Sequence, residues 1–310
     1  MTLSNFLSAA WNDHATDSEG VAKRLPQGLA LIETAEDIPP FVNLAVHVLG
    51  EHLGSWDDGL TLLDNVAAIK FCAKETEANR AVLRGKAILF LCKGETNKAE
   101  ELGAAAHSAP WPAASALVRI NASAAAALVG QKRFSEAAAL MEKALGFAAY
   151  GPKRDDPAAR ALAVTGNNLA CELERRETKD PIEIALMKNT ATVARQFWEV
   201  AGTWLEVERA EYRLAMTMIA AGDPVAALEH AELCLNICKS NKAERFEHFF
   251  AHEARAKCFI ASQQHSQAEN ARNDAKKVVE SMKQSVEYLE GQLKALDGLL
   301  GKSDSAAPEN

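Results

Sequence analysis

Apolar residues recur at intervals of three and four along almost the whole chain, the spacing of one buried helix face. Strict apolar–polar alternation, the mark of a half-buried strand, is hard to find. Turn residues fall about every 15 to 20 positions, so the pattern predicts helices joined by short loops. Residues 3–35 read as two helices broken at Thr16–Gly20, with Pro26 a candidate kink, and Pro39-Pro40 starts the main run of helices. A longer loop is expected at Tyr150–Pro157, where it would act as a hinge between two halves without being a domain boundary. Toward the end, Val279, Met282, Val286, Leu289, Leu293, Leu296 and Leu300 alternate by three and four, a seam of about three heptads on one long last helix. That seam reads either as a cap over the end of the preceding helices or as a homodimer interface. The cap is favoured, because Gly291 and Gly298 weaken a free coiled coil. Lys302–Asn310 reads as a polar, disordered tail.

Within this helical pattern a unit repeats. Gly222-Asp223-Pro224-Val225-Ala226-Ala227 is a turn followed by an amphipathic helix whose small residue comes five positions after the glycine. The same shape recurs around Gly54, Gly94, Lys132 and Gln263, with small anchors at Gly59, Ala99, Ala137, Ala227 and Ala268. The anchors are 40, 38, 90 and 41 residues apart. The long interval fits two units of about 45, with a degenerate copy around Asn168–Arg176 and Ile182–Trp198. A second small residue follows each anchor by seven (Val66, Ala106, Ala144, Cys234, Ala275), about two helical turns on and therefore on the same face. The preceding helix carries Ala87, Ala125, Ala215 and Ala256 seven before the turn, but His47 in the first copy. Small residues at these places let two antiparallel helices approach closely. A lone pair cannot bury its apolar face, so such pairs stack.

Leu214-Ala215, Met218, Gly222-Asp223, Ala227, Ala231 and Cys234 resemble the tetratricopeptide repeat family, and the likeness extends over residues 39–280. The usual repeat is about 34 residues. The longer period here is similar to kinesin-light-chain-like repeats and to bacterial peptide-sensing regulators. The resemblance implies an all-α, right-handed α-solenoid of about six such helix pairs. Residues 1–38 form an N-terminal helical extension, 39–265 the repeat array, 266–301 a long C-terminal capping helix and 302–310 the tail. It also implies that the first helix of each pair lines a concave groove. Carried onto this sequence, the inward positions are Leu44 and Val48, Arg84 and Ile88, Arg119 and Ala126, Asn167, Asn168 and Cys171, Arg209, Tyr212 and Met216, and Glu253 and Lys257. Gly166-Asn167-Asn168-Leu169-Ala170 is similar to an element whose asparagines grip a peptide backbone in such relatives.

Charge sharpens this reading. Lys+Arg number 34 against 42 Asp+Glu, a net −8, which argues against a nucleic-acid partner. Continuous apolar runs long enough for a membrane span are missing from the sequence, and its start lacks the basic region of a secretory signal. The six cysteines form no CxxC pair and sit mostly in apolar segments, as reduced thiols of a cytoplasmic protein do. No phosphate-binding glycine loop or HExxH is present. His248 and His252 lack a fixed third ligand. His230, Cys234 and Cys238 make a metal-like face, but Cys234 is already explained as a packing residue. No catalytic residue, metal or cofactor is therefore expected. An asparagine amide both donates to and accepts from a peptide backbone. Arg84, Arg119, Arg209 and Lys257 would offer positive charge to an acidic peptide or a terminal carboxylate. The expectation is a non-enzymatic protein- or peptide-binding scaffold using Arg84, Arg119, Asn167, Asn168, Arg209, Tyr212 and Lys257. The alternative is a peptide-sensing receptor acting on another protein, and a less favoured one is a metal- or thiol-dependent protein using the His230, Cys234 and Cys238 face.

Overall fold

A computed structural model describes residues 1–282 and 286–305. Among the described residues there are fifteen α-helices, one π-helical turn and one 3-10 turn, and no strand. The N-terminal pair is α1 (Leu3–Asp13) and α2 (Ser18–Leu29), with Pro26 inside α2. Next along the chain are α3 (Ile38–Val46), the π-helical turn His47–His52, α4 (Trp56–Ala68), α5 (Glu77–Cys92), α6 (Thr96–Ala105), α7 (Ala113–Gly130) and α8 (Phe134–Phe147). After a 3-10 turn come α9 (Pro157–Glu174), α10 (Pro181–Ala201), α11 (Trp204–Ala220), α12 (Pro224–Ser240), α13 (Arg245–Ala261), α14 (His265–Glu280) and α15 (Val286–Ser305).

The chain forms two compact units, Met1–Thr165 and Gly166–Asn310, and the boundary falls inside α9. In the first unit α5 packs on α3, α4 and α6, and α7 on α5 and α8. In the second, α10 through α14 pack each on the next, and α15 lies on α13 and α14. Most sequence neighbours thus pair within each unit.

One turn geometry recurs. Gly54, Gly94, Lys132, Gly222 and Gln263 all have positive φ, between 57° and 82°. Each stands five residues before a buried small anchor, Gly59, Ala99, Ala137, Ala227 or Ala268. In four of the turns the next amide bonds back five residues: Glu95 to Phe90, Arg133 to Leu128, Asp223 to Met218 and Gln264 to Phe259, at 2.8–2.9 Å. This is a left-handed helix stop, which satisfies carbonyls left open at the end of the first helix. In the first pair the bond runs from Ser55 to Leu49, one residue longer, and the additional residue is taken up by the π-helical turn. The second small positions are also buried: Val66, Ala106, Ala144, Cys234 and Ala275 on the second helices, and Ala87, Ala125, Ala215 and Ala256 on the first.

The pair α9–α10 closes differently. A Cβ at Gly166 would stand 2.6 Å from the Thr190 carbonyl oxygen, so glycine lets the two backbones meet. α9 starts at Pro157, upstream of the stretch around Asn168–Arg176 where the degenerate copy was expected. Pro157 needs no amide partner at a first helical position, and the Asp156 carboxylate accepts from the Ala158 amide at 2.9 Å. The same carboxylate accepts from Ser115 Oγ at 2.6 Å and Tyr150 Oη at 2.5 Å, so the Tyr150–Pro157 loop is fastened to α7.

The expected single last helix is two. α14 ends where the Ser281 amide takes Lys277 and Val278 carbonyls and its hydroxyl takes Val278 O at 2.6 Å. α15 then packs Leu289, Leu293 and Leu296 on α13 and α14, covering those leucines within the chain. Val286's side chain and residues 306–310 of the expected tail lie outside the described residues, whereas 302–305 continue α15. By length and composition α7 alone among the described helices is apolar enough to cross a membrane, with a mean hydropathy of 1.4. It is a core helix of the first unit, burying Val118, Ile120, Ala122, Ala124, Ala125 and Leu128.

Candidate functional site

The structure separates the groove residues into groups. Leu44 and Val48 are wholly buried and Ile88 nearly so, so these are core positions and not groove lining. In the first unit, α5 and α7 set Arg84 and Arg119 at one cleft of about 230 Å³. Its walls include Glu77, Trp111, Ser115 and Pro157. Arg84 donates to Glu77 Oε1 at 2.5 Å, and Arg80 takes the other oxygen at 3.2 Å. Burial opposes ionisation of Glu77, but these two guanidinium groups hold its carboxyl below the usual range.

Arg119 is different. Among the described residues its half-buried guanidinium has no hydrogen bond or ion pair. Burial and then the neighbouring Arg84 charge lower its pKa to about 10, with Glu77 and Asp156 offsetting this from a distance. A buried cation without a counterion is costly, and an incoming anion removes that cost. The cleft therefore holds one arginine already neutralised by Glu77 and one with no such partner among the described residues.

In the second unit the predicted cations are already matched. Arg209 donates to Glu247 at 2.7 Å, Lys257 pairs with Glu253 at 2.8 Å, and the Tyr212 hydroxyl donates to Glu253 Oε2 at 2.8 Å. Burial, then the Glu253 charge, pushes the Tyr212 phenol well above its ordinary range. The cations of α11 and α13 stand out in the sequence, but their pairing with the glutamates between them does not. Asn167 and Asn168 are adjacent on α9, half-buried and exposed, and Asn167 Nδ2 donates to Asn168 Oδ1 at 3.3 Å.

The metal-like face on α12 is divided between two carboxylates. His230 Nδ1 lies 2.7 Å from Glu211, while Cys234 Sγ and Cys238 Sγ donate to Glu208 Oε1 at 2.8 and 3.5 Å. The Cys238 hydrogen bond and burial push the Cys234 thiol far up, which keeps it protonated. His252 is half-buried, its Nδ1 has no hydrogen-bond partner among the described residues, and burial lowers its pKa. No protein-family model matches the chain, and no curated protein matches it either.

Proposed function

We propose that this protein is a TPR-like, right-handed α-solenoid that binds a protein or peptide partner through an acidic group. The recurrent left-handed turn, five residues ahead of a buried small anchor, supports the repeat reading. The observation that carries the binding reading is Arg119, a half-buried guanidinium without a counterion beside Arg84 in an open cleft. A carboxylate entering there gains charge-assisted hydrogen bonds at a place where the protein has already desolvated the cation. Such a site needs no catalytic group, and rigid packed helices lower the ordering cost of association. Asn167 and Asn168, with amide valences to spare, offer a second contact for peptide backbone. Six free thiols suit a reducing, cytoplasmic setting.

An array of acidic peptides, each made with a free and an amidated C-terminus, tests the reading by fluorescence polarisation. A subset should bind, and Arg119→Glu should weaken that subset by at least about tenfold, the scale of one lost charge-assisted contact. Arg119→Lys should fall between. Binding indifferent to the charge at position 119, or no acidic peptide bound at all, would remove the proposal.

A further inference from the structure

The strongest unassigned chemistry is not on the expected groove. His14, His47 and His52 each offer a ring nitrogen, and these atoms lie within 4.8 Å of one another. His47 Nε2 and His52 Nε2 are 3.0 Å apart. Two nitrogens bound tetrahedrally to one zinc ion at ~2.0 Å stand ~3.3 Å apart, so this pair is already at chelating distance. We propose that this cluster is a binding site for a late first-row divalent metal ion, with zinc the best match. The ion would fasten the end of α1 to the turn after α3.

The geometry is built, not incidental. His47 and His52 are five apart, and it is the π-helical turn, with its i to i+5 bonding, that brings them to one face. The turn is itself held on several sides. Gly50 O accepts from the Trp56 indole at 3.3 Å, and Glu51 O accepts from Gln131 Nε2 at 2.7 Å. Gly130 permits the second contact, since a Cβ there would come within 2.4 Å of the Glu51 carbonyl oxygen.

Tautomers are set by the same neighbours. His47 Nδ1 donates to the Glu51 carboxylate at 2.8 Å, and His14 Nδ1 donates to Trp11 O at 2.6 Å. Both rings therefore present Nε2 lone pairs. A carboxylate behind a ligating imidazole orients the ring and raises its basicity. Imidazole donors suit zinc, copper and nickel, and do not suit the hard cations calcium and magnesium. Three protein ligands leave a coordination position for water. Trp11 lies 5.1 Å from both His14 and His47, ring centre to ring centre, which places an intrinsic fluorophore on the site.

The full-length chain titrated with zinc chloride by calorimetry should bind one equivalent and melt at higher temperature when loaded. His47→Ala and His52→Ala should each abolish that equivalent. Glu51→Gln should weaken it by about tenfold or more, as loss of a carboxylate behind a ligand does. Cobalt substitution guards against variants that misfold, because it reads the unaltered chain. The expected spectrum is tetrahedral without a thiolate charge-transfer band, and cobalt should quench Trp11 but not a Trp11→Phe variant to the same extent. No stoichiometric zinc binding, retained affinity in the double variant His47→Ala/His52→Ala, or a thiolate band would each overturn the assignment.

Discussion

Five backbone positions carry the same demand, and the sequence meets it unevenly. Gly54, Gly94 and Gly222 take the left-handed conformation without a Cβ, whereas Lys132 and Gln263 take it with one. Left-handed backbone costs a residue with a Cβ ~1–2 kcal/mol, and glycine gives part of that back as unfolded-state entropy. Lys132 and Gln263 lie at turns with much of their side chains in solvent, so those side chains lose little on removal. Lys132→Gly and Gln263→Gly should each stabilise the protein by about 0.5 kcal/mol. Gly222→Ala, whose Cβ would meet nothing within 4 Å, should destabilise it by ~1 kcal/mol, for conformational reasons alone. Urea midpoints of the three variants check this, and a loss for Lys132→Gly would refute it. The five anchors were legible at this scale because small residues at a fixed spacing leave a mark in sequence. His14, His47 and His52 were not. A regular register takes the helix as unbroken, and His47 then stands only as a departure at a small-residue position. The additional residue that winds the π-helical turn has no composition signal of its own.

Between elements, the informative seam is that of α11 and α12. Glu208 on α11 is 1% exposed, its Oε1 receives two thiols from α12, and its Oε2 has no hydrogen-bond partner among the described residues. Burial raises its pKa above 4.5, and the thiol hydrogen bonds only partly oppose this. A carboxyl raised on folding favours the native state below the unfolded pKa, and that favour is lost as pH rises through the folded value. Glu208→Gln keeps the shape and the acceptor without the charge. It should melt above the wild type at pH 8, and the gap should close as pH falls toward 4.5. A gap independent of pH, tracked by calorimetry across that window, would show that the carboxylate is not the cause. Helix pairs were readable from periodicity, yet this seam was not. Its glutamates, Glu208 and Glu211, lie one and two residues from Arg209, a cation that looked like groove charge, and partner choice across helices is a property of packing. The end of α14 was hidden for a similar reason, since the apolar spacing runs unbroken from Val279 to Leu300 while the helix closes at Ser281 and Met282.

Across the whole molecule, composition and period specify a helical array but not where it divides. The boundary between the two units falls at Thr165–Gly166 inside α9, where no proline, glycine cluster or charge run marks a change, and the loop expected to hinge is pinned through Asp156. Each unit has its own core. The first is built around Phe41, Leu44, Leu63 and Leu89, and the second includes the cluster of Leu214, Ala215, Ala227 and Cys258. Because helices pack mostly on their sequence neighbours, stability should be a sum of local terms, and damage should stay local. Leu63→Ala and Leu214→Ala remove buried side chains of equal size, each at a cost of ~2–5 kcal/mol. Native-state hydrogen exchange should show Leu63→Ala lowering protection in α3 to α7 and leaving α11 to α14 unchanged, with Leu214→Ala giving the reverse. Amides of α9, shared by both units, should respond to either change. If both substitutions lower protection equally from α3 to α14, the chain unfolds as one cooperative body and nearest-neighbour stacking is not what holds it.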